Sequence, residues 1–328
     1  DGTDGEQPAP ADHHAEDRMT TAFHGTIRPP REGEAPAAAA LVVGAYLRAL
    51  RLSHGVTGSD AAWAIGSSAA KVSRLETGRL HRMEDAIALL EHYGIDDEPD
   101  VRPALEHLLQ TPHRNVLYDT VPGWLDRLHA CQRQAESMVI YTAHTLPDIV
   151  RIPDYPVDAL TQRLRADLHG HIPPRAPLTA GTGGDVTLLL DEMVLHRPLG
   201  HPDMRADQLT HLQMLTSTEQ GPRILLVPRW ALVIPPSGLL HRMTLHGHEL
   251  VAEEWSGFVL YYTGDAVAHW QHRIRAAMAA AVPLGQAAVS LPDERAQDKE
   301  RTDGPRPRTH LVRPESRLSL APGGEAVL

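Results

Sequence analysis

Apolar positions recur at helical spacing from residue 41 to residue 110, in short segments separated by Gly, Ser and Thr. In the first segment, over 44–54, Leu47 and Leu50 face inward with Tyr46 beside them, and Gly55 ends the helix. Thr57 and Asp60 have the spacing of a capping box, which starts a second helix over 58–65. Gly66 supplies a tight turn, where positive φ must be tolerated. Ser67 or Ser68 caps a third helix that continues to Glu76. At about 100° per residue, Val72 and Leu75 share one side of it, while Ser67, Ala70, Lys71 and Arg74 share the other. A fourth helix, over 83–93, aligns Met83, Ile87, Leu90 and Tyr93 and stops at Gly94. Asp100 caps a fifth, which turns Val101, Leu105, Leu108 and Leu109 inward.

After Thr111-Pro112 the period changes. Strand-like runs over 137–143, 185–190, 223–227, 239–245 and 257–263 are interspersed with helical stretches over 158–168, 203–218 and 265–281. The expected architecture is an all-α five-helix domain over 41–112, a linker over 113–136 and an α+β domain over 137–284. Residues 1–40, with five prolines and no apolar period, and 285–328 read as disordered tails. Met19 would serve as a start, so residues 1–18 read as an upstream extension.

Composition adds exclusions. Cys131 is the only cysteine, which rules out an intramolecular disulfide and a cysteine-rich zinc site. No apolar run reaches the roughly 20 residues of a membrane span. The N-terminus is acidic and proline-rich rather than basic then apolar, so a cytoplasmic protein is expected. The net charge of −11 is unlike a nucleic-acid binder, but it is unevenly distributed. Between Gly44 and Arg82 six cations (Arg48, Arg51, Lys71, Arg74, Arg79, Arg82) stand against Asp60 and Glu76. That local excess is what phosphate contact requires.

A plain helical bundle would show the same periodicity, and residue identity separates the two. The stretch LRALRLSHGVTGSDAAWAIGSSAAKVSRLETGR resembles the Cro/repressor (Xre) helix-turn-helix family. The resemblance is carried by Leu-Arg-x-Leu-Arg, Gly55-Val56-Thr57, Ile65-Gly66-Ser67 and Val72-Ser73-Arg74-Leu75-Glu76-x-Gly78. It implies that Arg51 and Glu76 form a structural ion pair, that Arg74 reads base edges, and that Lys71 meets phosphate or base. The DNA-facing set is then Arg48, Thr57, Ser67, Ser68, Ala69, Ala70, Lys71, Arg74 and Arg79. Gly58 stands where many members have a phosphate-contacting glutamine, and Ala69 and Ala70 where many have longer polar residues. Trp63 reads as core or interface packing.

Further on, TLPDIVRIPDYP, VTLLLDEMVLHRPLGHPDMRADQLTHLQML and RILLVPRWALVIPPSG resemble the large C-terminal domain of actinobacterial WhiJ-like Xre regulators. That resemblance implies a sensing domain, or one that binds a small protein encoded nearby, in the manner of an antitoxin. Asp148 in place of a glycine and the lack of an Arg-x-x-Arg-Gln segment near 163 depart from the pattern.

A search for chemistry finds little. Asp191, Glu192 and His196 have loose metal-ligand spacing, of a kind that arises by chance in a chain with 21 histidines. His169 with His171, and His246 with His248, read as surface pairs, the latter on one face of a strand. Gly181–Gly184 lacks the Lys-Ser/Thr of a phosphate loop and reads as a turn. The expectation is a non-enzymatic, sequence-specific transcription regulator with no cofactor and no metal. It binds double-stranded DNA at two half-sites as a homodimer, through contacts open to either domain with the C-terminal one favoured, and takes a small protein or effector as partner. The rival reading is an enzyme or ligand-binding protein, metal-dependent through its C-terminal domain, with a vestigial helix-turn-helix.

Overall fold

The first helix, α1 (Ala38–Ser53), is apolar on every side because it is enclosed on every side: Ala38 through Leu47 are all buried. It starts six residues earlier than its one visible stripe suggests, inside the segment expected to be disordered. A helix flanked by two layers of protein needs no polar face. The computed structural model describes residues 34–286 apart from 81, 96–98, 112–113, 157–169, 198 and 200–201. The remainder of both expected tails, and the helix expected over 158–168, lie outside those residues.

α2 (Gly58–Ala64), α3 (Ala69–Glu76), α4 (Met83–His92) and α5 (Val101–Leu109) follow, close to their expected positions. Residues 113–136, expected as a linker, contain instead the strand β1 (Val116–Asp119) and the helix α6 (Trp124–Gln134). A buried ion pair fixes this corner. Arg127 Nε and Nη2 each donate to the Asp119 carboxylate at 2.7 Å, and Nη2 also donates to the carbonyls of Val121 and Pro122. Both side chains are sealed from solvent, and with both carboxylate oxygens and two nearby carbonyls bonded to the guanidinium the pair can hold its place there.

The strands β2 (Ser137–Thr142), β3 (Val186–Asp191), β4 (Arg223–Val227), β5 (Leu239–Leu245), β6 (His248–Trp255), β7 (Phe258–Tyr262) and β8 (Val282–Pro283) complete one sheet with β1. Its order is β1-β7-β6-β5-β2-β3-β4-β8. β2, β3 and β4 run parallel, with α7 (Glu192–His196) and α8 (Pro202–Leu215) between β3 and β4, and the other pairings are antiparallel. Alternation along the strands builds two cores. Met138, Ile140, Leu188 and Leu190 join the same buried cluster as α1 and α6, whereas Tyr141, Leu189 and Leu225 pack with Trp270 and Ile274 of α9 (Ala268–Ala280).

The helical part and the sheet are therefore joined through one continuous core. α6 packs along α1, and Gln134 Nε2 donates to the Ala45 carbonyl at 2.7 Å. The backbone N–H of Ala38 donates to the Arg114 carbonyl at 2.8 Å.

His246 and His248 do not share a strand face. His246 and Gly247 have φ of 52° and 73° and connect the paired residues Leu245 and His248, so they form a two-residue turn with both φ positive. The first histidine occupies a position usually given to Asn or Gly, which hides the hairpin from sequence inspection. Asp191 caps α7 by accepting from the Met193 N–H at 2.9 Å. Glu192 accepts from the Arg229 N–H at 3.1 Å and lies 3.5 Å from His196. These groups serve the local backbone.

Candidate nucleic-acid interface

The local chemistry of the second and third helices explains their geometry. Thr57 Oγ1 accepts from the Asp60 N–H at 3.2 Å, and the Asp60 carboxylate accepts from the Thr57 N–H at 3.3 Å and its hydroxyl at 2.7 Å. This reciprocal box starts α2, and the donors hold the Asp60 carboxyl below the usual carboxylate range. Gly66, with φ of 55°, makes the turn. Ser68 rather than Ser67 caps α3, accepting from the Lys71 N–H at 3.3 Å.

α3 is anchored from beneath. Val72 and Leu75 are buried, and so is Glu76, at 1% exposure. Arg51 Nε donates to Glu76 Oε1 at 2.6 Å and Nη2 to Oε2 at 2.9 Å, while Nη1 donates to the Val56 carbonyl at 3.0 Å. Arg48 lies 3.7 Å from the same carboxylate. The hydrogen bond to Glu76 raises the Arg51 guanidinium further above its ordinary range. Burial, and then the Glu76 charge, push the nearby Tyr93 hydroxyl up.

The α1–α3 contact depends on a residue that periodicity passes over. A Cβ at Gly44 would lie 2.5 Å from the Leu75 carbonyl oxygen. The two backbones meet there, and only glycine permits it. The available signal was an isolated glycine inside an apolar helix, which is costly unless packing requires it.

Away from this anchor α3 is open. Ser67, Ser68, Ala69, Ala70, Ser73 and Arg74 are exposed, and so are Thr57 at the start of α2 and Arg79 beyond α3. Arg74 and Arg79 make no ion pair among the described residues. Lys71 differs from its neighbours: its ammonium group lies 3.0 Å from the Asp85 carboxylate of α4, and its side chain is 29% exposed. Trp63 is 82% exposed, so it takes no part in this chain's core. The β5–β6 turn borders the surface, and after burial the largest influences lowering the imidazoles of His246 and His248 are the charges of Arg48 and Arg79, respectively. The arrangement is a short, N-capped helix with a small-residue face and two free arginines, on a rigid support. It suits insertion into a major groove.

Two family models match the chain. Residues 42–105 match the model described as a helix-turn-helix domain, and residues 125–293 match the domain of unknown function DUF5753. The second match begins in α6, the helix packed on α1. No curated protein matches the chain.

Proposed function

The chain belongs to the DUF5753 family and carries a helix-turn-helix domain ahead of it, and from this we propose that it is a sequence-specific DNA-binding transcription regulator. The observation that carries the reading is the two-sided character of α3. Val72, Leu75 and Glu76 are buried beneath it, whereas Ser67 to Ala70, Ser73 and Arg74 stay free.

In this reading Arg74 takes guanine O6 and N7 together, worth about 1–3 kcal/mol against the wrong base. Thr57, Ser67, Ser68, Arg48 and Arg79 hold the phosphate backbone, and Ala69 and Ala70 allow close approach to base methyl groups. Lys71 reaches DNA only by exchanging its Asp85 partner for phosphate. Arg51 and Glu76 support the helix and stay out of the groove.

One such helix covers few base pairs, so the protein binds as a homodimer to two half-sites. The second part supplies the dimer contact, and exposed Trp230, Leu232 and Ile234 support placing it there. That part also receives the input, a small partner protein or an effector, as in an antitoxin-like regulator. Among the described residues no helix is long and apolar enough to cross a membrane. Cys131 is buried and burial pushes its thiol up, which disfavours a thiolate nucleophile.

Selection of bound duplexes from a random library by the full chain, followed by footprinting, tests the proposal. The expected result is an enriched sequence with two protected half-sites about 10 base pairs apart. No enrichment over random duplex would overturn the regulator reading, and protection of a single half-site would remove the dimer.

A further inference from the structure

A cavity of about 650 Å³ opens between α6, the carboxyl end of β2 and the β6–β7 turn. Its size is that of a small-molecule site. Trp124, Leu125 and Leu128 of α6 face Met138, Ile140 and Leu239 of the sheet across it. Thr142, His144 and Thr145 extend the lining past the carboxyl end of the parallel strand β2, where α/β sheets commonly receive ligands.

The polar groups around it are unequal. Arg151 donates to the Leu146 carbonyl and to Thr145 Oγ1, and pairs with Asp148. Arg175 donates to Asp185 and to the Gln132 carbonyl. Arg197 is exposed at the wall, and its guanidinium has no partner among the described residues. Inside, His129 Nδ1 lies 3.1 Å from the Ile172 carbonyl. A neutral ring donating there presents Nε2 as an acceptor, and burial favours the neutral ring by lowering its imidazole. His241, buried on the sheet side of the cavity, lies with Nε2 3.0 Å from the Glu254 carboxylate and leaves Nδ1 without a partner. A buried polar atom left this way costs stability unless a bound group meets it.

We propose that this cavity binds a small effector: a ring-containing, mostly apolar molecule with an N–H or O–H donor for His129 and an anionic group for Arg197. The inference deepens the reading of the second part as the receiver of an input and rests on it. α6 gives occupancy a route to DNA. One side of that helix lines the cavity and another packs on α1, whose Arg51 holds Glu76 of α3. A shift of α6 is thereby passed to the groove-facing helix through packed groups.

The test uses 8-anilinonaphthalene-1-sulfonate, which combines an apolar ring system, an N–H donor and a sulfonate. It is titrated into the full chain without DNA, so the outcome is independent of the regulator reading. One saturable site per chain is expected. Gln132→Trp on α6 and Ser237→Trp on the opposite wall each fill the cavity and weaken the dye by about tenfold or more, a difference of about 1.4 kcal/mol. Arg197→Ala, at an exposed position, weakens it by a smaller factor. The double change Leu52→Ser, Met214→Ser removes exposed apolar surface elsewhere and leaves the affinity unchanged. Circular dichroism and thermal unfolding identify the variants that fold, and two plugs on opposite walls guard against losing one. Folded plug variants that bind as tightly as the unmodified chain, or loss of binding in the Leu52/Met214 variant, would overturn the proposal.

Discussion

The Arg51 guanidinium clasps the Glu76 carboxylate with hydrogen bonds of 2.6 and 2.9 Å, which fixes the last turn of α3 to α1. Glu76 is sealed from solvent while Arg51 keeps a small exposed edge, so the carboxylate depends on its partner more than the reverse. Removing one member of such a pair leaves a desolvated charge, at a cost of about 3 kcal/mol. Arg51→Ala should therefore lower the unfolding midpoint in urea and weaken DNA binding together. A variant as stable as the parent would show that Arg48, at 3.7 Å, satisfies Glu76 alone.

Arg74→Ala removes an exposed side chain without an ion pair, and the fold should keep its stability within about 0.5 kcal/mol. Base preference should relax at one position per half-site, read by repeating the duplex selection. An unchanged preference would mean that Arg74 does not read a base.

Lys71→Ala should behave differently from Arg74→Ala, because it strands the buried Asp85 carboxylate. Expected are a loss of about 1–3 kcal/mol in denaturant titration and a salt dependence of DNA affinity that falls by less than one phosphate contact. A drop of about one unit in that slope, with stability intact, would place Lys71 on phosphate in the complex.

Gly44→Ala drives a methyl group to within 2.5 Å of a backbone oxygen of α3, and neither helix has a flexible group to yield. Destabilisation of about 1–3 kcal/mol is expected, as for overpacking in a core. At an unconstrained interior helix position Gly→Ala would normally stabilise the helix, so a neutral or stabilising result would contradict the close approach.

Burial lowers the imidazoles of His129 and His246 from their ordinary range. Their folded values lie below the unfolded one, so the unfolded chain takes up protons first on acidification. The stability they contribute is complete above about pH 6.5 and declines as the pH falls through the lower folded values. The double variant His129→Gln, His246→Asn should flatten the dependence of Tm on pH below about 6.5. Asn also suits the positive φ of position 246, so Tm above pH 7 should hold better there than at position 129. A slope identical to that of the parent would assign the acid sensitivity to other groups.

Local rules carried the five helices of the first part, from the Thr57–Asp60 box to the Gly66 turn and the buried side of α3. Each of these depends on residues within a few positions of one another, so periodicity and capping chemistry specify them. The same holds for β4 and β5, whose ends fall at the expected residues. What the chain order concealed was set by long-range contact. The uniform burial of Ala38–Leu47 comes from α6 lying against α1, nearly 90 positions away in sequence at the Gln134–Ala45 hydrogen bond. α6 itself read as linker because its polar Asp126 and Arg127 are buried, and Arg127 becomes tolerable only where Asp119 meets it. β6 escaped notice for the same reason: Glu249, Glu253 and Glu254 break its apolar run, and Arg242 and Gln271 must be folded against Glu249 before it is a good sheet residue. Sequence alone thus determined which helix faces outward and with which side chains. Tertiary structure decided that Lys71 is held by Asp85, that Gly44 sets the spacing of α1 and α3, and that a cavity forms behind α6. Partners distant in the chain leave no period to read, because their energy exists only once both have been brought together and desolvated.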